Sequence, residues 1–212
     1  MTKEKLADRI EQLINITQTL LVYSKKLRKL HDEYLPKTVI EKQKYTTSEI
    51  VMVLRFLHCS FYYDALLNLN TVLSPLQKDT NKKEQSIFEL IDLETDQKAK
   101  KELLSQANEF RKQLKEKNLD KWRHKLVGHK DIENAGDPEI MYLNFIKSDI
   151  IKFSEDLINQ IDMFIKNYYE KFINKNYDVV YNNTFSQMYC KSFEKMLELF
   201  EKELRKQMII IK

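Results

Sequence analysis

Leu6, Ile10, Leu13, Thr17, Leu20, Ser24 and Leu27 recur at spacings of three and four, the period of one face of an α-helix. They predict a long amphipathic first helix with Lys, Arg and Glu on its polar face. Pro36 is expected to end it, because proline has no amide hydrogen and its ring crowds the preceding turn. Thr46 and Glu49 are spaced as a capping box that opens a second helix. Ile50, Leu54, Leu57, Phe61, Ala65, Leu69 and Leu73 line it, with Val53, Phe56, Tyr63 and Leu66 beside them. So wide an apolar surface predicts a central, largely buried helix that stops at Ser74 and Pro75.

The polar stretch from Gln77 to Gln85 reads as an exposed loop, and Ser86 with Glu89 forms a second capping box before a short turn through Ile87, Phe88 and Leu90. Leu103, Leu104, Ala107, Phe110 and Leu114 point a further helix inward. Asn118 and Asp120 mark a break, with a new helix expected through Trp122 and Leu126 that loosens at Gly128. Ile146, Ile150, Phe153, Leu157, Ile161, Phe164, Ile165 and Tyr168 continue the helical period towards Asn174. A last helix from about residue 183 to 208 presents Phe185, Met188, Phe193, Met196, Phe200 and Leu204.

Composition narrows the class. Two Gly and three Pro among 212 residues leave little material for tight turns, so a β-rich fold is excluded and one all-α domain over residues 1–212 is expected. Cys59 and Cys190 are the only cysteines, which excludes a disulfide scaffold or a cysteine zinc site and fits a reducing compartment. No run approaches the ~18 uncharged residues of a membrane span and no secretory leader is visible, so the cytoplasm is the expected location, with no membrane partner.

The net charge of +4 is too balanced to make the whole surface a nucleic-acid site. Its distribution is more informative. From Lys115 to Lys130, six Lys and Arg residues stand against Glu116 and Asp120, so this one segment carries a net +4. It contains Trp122-Arg123-His124-Lys125-Leu126-Val127-Gly128-His129-Lys130-Asp131, with two of the four histidines. An Arg that holds phosphate oxygens beside a His that moves a proton near neutral pH is the minimum equipment for metal-independent RNA cleavage. No Gly-rich phosphate loop, HExxH, CxxC or Gly-x-Ser-x-Gly pattern occurs. Arg28 with His31 and Arg55 with His58 are comparable neighbours, and both lie in helical patterns that give them a structural explanation.

Arg123 to Asp131 resembles the Arg-polar-x-x-x-x-His-x-Asp signature of HEPN-superfamily helical domains, particularly the AbiU-type abortive-infection branch. Phe61-Tyr62-Tyr63-Asp64-Ala65-Leu66-Leu67 is similar to that branch's apolar second helix, and the stretch from Ile87 to Leu93 to the short turn that follows it. The likeness covers about residues 6–174; the C-terminal helix lies outside it. The resemblance implies an up-and-down bundle of long antiparallel helices with an additional C-terminal helix, a homodimer, and a composite cleft that cuts RNA without a metal or other cofactor. Arg123 would stabilise the scissile phosphate, His129 would act as base for the 2′-hydroxyl, and His124 would take the polar position. Lys121, Lys125 and Lys130 would frame the RNA, with Asp131 in support. An antitoxin or defence-system protein is the further partner implied, in a toxin or antiviral abortive-infection setting. His124 stands where the family most often has Asn or Asp, and Ile132 and Glu133 where one branch has a modified Tyr. The alternative is a HEPN-like module that binds RNA or protein without catalysis, which needs only the basic rim.

Overall fold

The computed structural model describes residues 2–39, 49–76, 85–119, 150–173 and 184–210. Among them the chain is all-α, with no strand. The helices are α1 (Lys3–Val39), α2 (Glu49–Val72), α3 (Ile87–Asp92), α4 (Gln97–Glu116), α5 (Ile150–Tyr168) and α6 (Thr184–Ile210), with a π-helical turn over Tyr169–Ile173 continuing α5. Thr46, the loop after Gln77 and the expected helix through Trp122 lie outside the described residues. Backbone contacts divide the chain into two compact units, one of residues 1–21 and 62–175, the other of residues 22–61 and 176–212.

The expected face of α1 is rotated slightly. Leu6, Ile10, Ile14, Thr17, Leu21, Ser24 and Leu27 are buried, while Leu13 and Leu20 are half-buried at the border. Thr17 is tolerated inside because its hydroxyl donates to the Leu13 carbonyl at 2.6 Å. Pro36 does not end α1, which runs on to Val39. Near a helix end a proline removes a single bond, here to the Asp32 carbonyl, and one further turn can follow. The second helix is also less enclosed than its composition predicts. Leu54, Tyr62, Ala65, Leu66, Leu69, Val72 and Leu73 are buried, but Val53 is 43% and Phe56 69% exposed.

In the first unit, Ser86 caps α3, accepting from the Glu89 amide at 3.2 Å, and Asp96 caps α4 through the amides of Lys98 and Ala99. Leu103, Ala107, Phe110 and Leu114 face inward from α4, and Phe110 meets Phe164 of α5 edge to face at 5.9 Å. Two polar pairs set the register of α1 on α5: Tyr169 donates to Asp8 at 2.6 Å and Gln18 to Asn159 at 3.1 Å. Ten residues separate the partners on each helix and the numbers run oppositely, so the two helices are antiparallel and in step. Tyr62 of α2 is buried against α5, its hydroxyl 3.0 Å from Ser154 Oγ.

In the second unit, Tyr23, Leu27, Leu54, Phe193 and Leu204 form the core, flanked by Leu57, Phe61, Met196 and Phe200. Tyr23 and Phe193 stack at 3.8 Å. Glu201 and Arg205 form an i,i+4 ion pair on α6. His58 is fully buried, with Nδ1 2.9 Å from the Ser24 carbonyl and 2.7 Å from Ser24 Oγ. A neutral ring protonated on Nδ1 donates to Ser24, which leaves the Ser24 hydroxyl to donate to the His58 carbonyl at 3.3 Å. Burial is the main reason that the imidazole's pKa is lowered to about 4; the Ser24 hydrogen bond opposes it, and Arg28 and His31 add to it.

This burial has a pH signature. Below the unfolded-state value of about 6.5, the unfolded chain takes up a proton that the folded chain refuses until about pH 4. Stability from His58 is therefore complete above pH 6.5, falls as pH drops through that window, and levels off below it. The loss should total roughly 3 kcal/mol. Urea unfolding from pH 7 to pH 4 should show it, and His58→Gln should remove that part of the slope while costing stability at pH 7. An identical slope in the variant would show that the ring is not buried neutral.

Candidate functional site

Of the four histidines, His31 and His58 belong to the fold. Both are at most 1% exposed, His58 held by Ser24 and His31 lying 3.1 Å from Asp32. Cys59 is half-buried, and burial pushes its thiol pKa up against a smaller opposing effect of Arg55, the reverse of what a thiolate nucleophile needs. Among the described residues, no group of three or more His, Cys, Asp or Glu side chains is arranged to hold a metal ion, and no helix is long and apolar enough to cross a membrane.

Lys121, Arg123, His124, Lys125, His129, Lys130 and Asp131 lie outside the described residues. What is described is the ground on either side of them. Lys117 closes α4, and Asn118 follows with φ 56°, its amide bonded to the Lys115 carbonyl at 2.8 Å. Asn118 thus serves α4 as the left-handed residue just past its end, a position that Asn tolerates better than most side chains. Leu119 is fully buried, and its carbonyl accepts from Asn70 Nδ2, which also donates to the Leu66 carbonyl. Lys117 Nζ sits 5.6 Å from the centre of the Phe153 ring, a cation–π contact that ties the end of α4 to the start of α5. The stretch from 120 to 149 therefore departs from a fixed, buried residue and returns to the same end of the α4 and α5 pair.

Upstream of that point α4 carries a shallow, open depression bordered by basic side chains. Asn108, Arg111, Lys112, Lys115 and Glu116 line a depression of about 320 Å³ on α4. Lys112 makes only long ion pairs, 3.8 Å to Glu109 and 3.9 Å to Glu116, with all three side chains exposed, an arrangement of little energetic weight. Among the described residues, Arg111 and Lys115 have no carboxylate within ion-pair distance. The charge count that begins at Lys115 misses this extension. The signal was present in the i,i+4 spacing of Arg111 with Lys115, which stacks two cations one turn apart beside Lys112.

The Asn118 conformation can be tested directly. Asn118→Gly should leave stability unchanged or slightly raised, whereas Asn118→Val should lower it by about 1–2 kcal/mol, the cost of a left-handed β-branched residue. Urea denaturation of the two variants side by side measures the contrast; equal effects would mean that residue 118 is not held left-handed.

The chain matches no protein-family model, no curated protein and no solved structure.

Proposed function

We propose that this chain is a HEPN-type, metal-independent endoribonuclease that acts as a toxin or abortive-infection defence protein, with the sites of two protomers sharing one cleft. The observation that carries the reading is the Arg123-His124-x-x-x-x-His129-x-Asp131 pattern, set in a run of net charge +4 on an all-α chain. Two facts support it further. His31 and His58 are taken up by packing, which leaves His124 and His129 as the candidates for proton transfer. The segment also leaves α4 from a buried, hydrogen-bonded anchor at Leu119, the kind of rigid support that positioned chemistry requires.

In this reading Arg123 holds the non-bridging oxygens of the scissile phosphate and His129, neutral on the reacting nitrogen, accepts the proton of the adjacent 2′-hydroxyl. The 2′-oxygen bonds to phosphorus as the bond to the 5′-oxygen breaks, and that oxygen takes up a proton. The products are a 2′,3′-cyclic phosphate and a 5′-hydroxyl. Because the nucleophile belongs to the substrate, RNA is cut and DNA is not. Lys121, Lys125 and Lys130 supply phosphate contacts.

Purified protein incubated with a mixed RNA pool in excess EDTA should produce fragments ending in 2′,3′-cyclic phosphate. His129→Ala and Arg123→Ala should each lower the rate at least a hundredfold, the usual size of a general-base or oxyanion contribution, with unfolding midpoints within ~0.5 kcal/mol of the parent. Salt-sensitive RNA binding without cleavage by the folded parent would replace the enzyme with the binding module. A stability loss above ~2 kcal/mol on His129→Ala would assign that residue to the core instead.

A further inference from the structure

We infer that the depression on α4 formed by Asn108, Arg111, Lys112 and Lys115 is a binding site for the phosphate backbone of an RNA strand. The inference deepens the ribonuclease reading and rests on it for the nature of the ligand. Its own support is geometric. Two of the three cations have no carboxylate partner among the described residues, and the third is held only by exposed contacts near 4 Å, so all three are available to an anion at small cost. The depression is shallow and open, about 320 Å³ along one face of α4, a shape that a strand's phosphates can lie along. Asn108 adds an amide donor that phosphate oxygens accept. Only Glu116 in the lining opposes an anion.

The test is RNA binding by the full-length protein carrying His129→Ala, in EDTA, so that the probe stays intact. A fluorescent twelve-nucleotide RNA is titrated at several salt concentrations against this parent and against the same protein with Arg111→Gln, Lys112→Gln and Lys115→Gln. A control removes the same charge from exposed positions of α6, by Lys191→Gln, Lys195→Gln and Lys202→Gln. The α4 variant should bind at least tenfold more weakly near 0.1 M salt, and its slope of log affinity against log salt should flatten by about 2, the value for three lost single-strand phosphate contacts. The α6 control should keep the parent slope. Cleavage by the wild-type protein is measured alongside. Cleavage with unchanged binding by the α4 variant would overturn this inference and leave the enzyme standing. No cleavage, with binding that depends on the three α4 cations, would sustain the inference and remove the enzyme. Equal losses in the α4 and α6 variants would reduce the effect to net charge and overturn the site.

Discussion

Glu94 is a carboxylate that burial would exclude from a protein interior unless it were paired, and the first unit is organised around the pairing it receives. Only 6% exposed, it lies between α3 and α4, 2.6 Å from Lys3 Nζ at the start of α1, and it accepts the hydroxyl proton of Tyr168 at the end of α5. Burial first, then the Glu94 carboxylate, drives the Tyr168 pKa upward, so the hydroxyl remains a donor. The π-helical turn begins at the next residue. Its wider spiral accommodates two consecutive buried tyrosines, one on Glu94 and the other on Asp8. Removing any one of these partners would leave a buried charge or hydroxyl uncompensated, which is why the cluster specifies register as well as stability.

That register propagates. Once Tyr169 is fixed on Asp8, the pairing of Gln18 with Asn159 ten residues away follows from two helices of equal rise. The 19 residues of α5 then carry the constraint about 27 Å to Ile150. At that far end, Lys117 over Phe153 and Asn70 on the Leu119 carbonyl hold the last turn of α4. The buried Glu94 cluster and the residues that flank the 120–149 stretch therefore lie at opposite ends of α4 and α5, so the proposed site is separate from the packing demands that the buried carboxylate imposes.

Hydrophobic period alone reveals the class, the order of the described helices, and most inward positions of α4 and α5. It locates the face of α1 only to within about one position, because Leu13 and Leu20 flank the buried row of Ile14, Thr17 and Leu21 and share its spacing. Pro36 misleads because one missing bond in a 37-residue helix is offset by its neighbours. Phe56 and Val53 mislead for another reason: composition says how apolar a helix is, but not how many neighbours the fold supplies to cover it. His58 was legible as structural, although its partner Ser24, 34 residues away, was not. The catalytic reading was legible only as a pattern, since an Arg and a His six positions apart acquire meaning from the residues between them and the charge around them.

The charge arrangement on α4 shows why a total is a poor guide to binding. Glu102, Glu109 and Glu116 recur every seven residues and so form one line along the helix. Asn108, Arg111, Lys112 and Lys115 fall to one side of that line. Summed over the helix, the two sets largely cancel; separated by face, they make an anionic edge beside a cationic hollow. At the proposed site, a phosphate chain drawn to Arg111 and Lys115 is repelled by Glu109 and Glu116, a balance that would confine it to the hollow. The same carboxylates limit the affinity, since exposed opposite charges within a Debye length of about 8–10 Å partly neutralise each other at physiological salt. For the proposed ribonuclease, moderate binding fits the need to release product, because holding substrate and product equally tightly gains nothing in turnover.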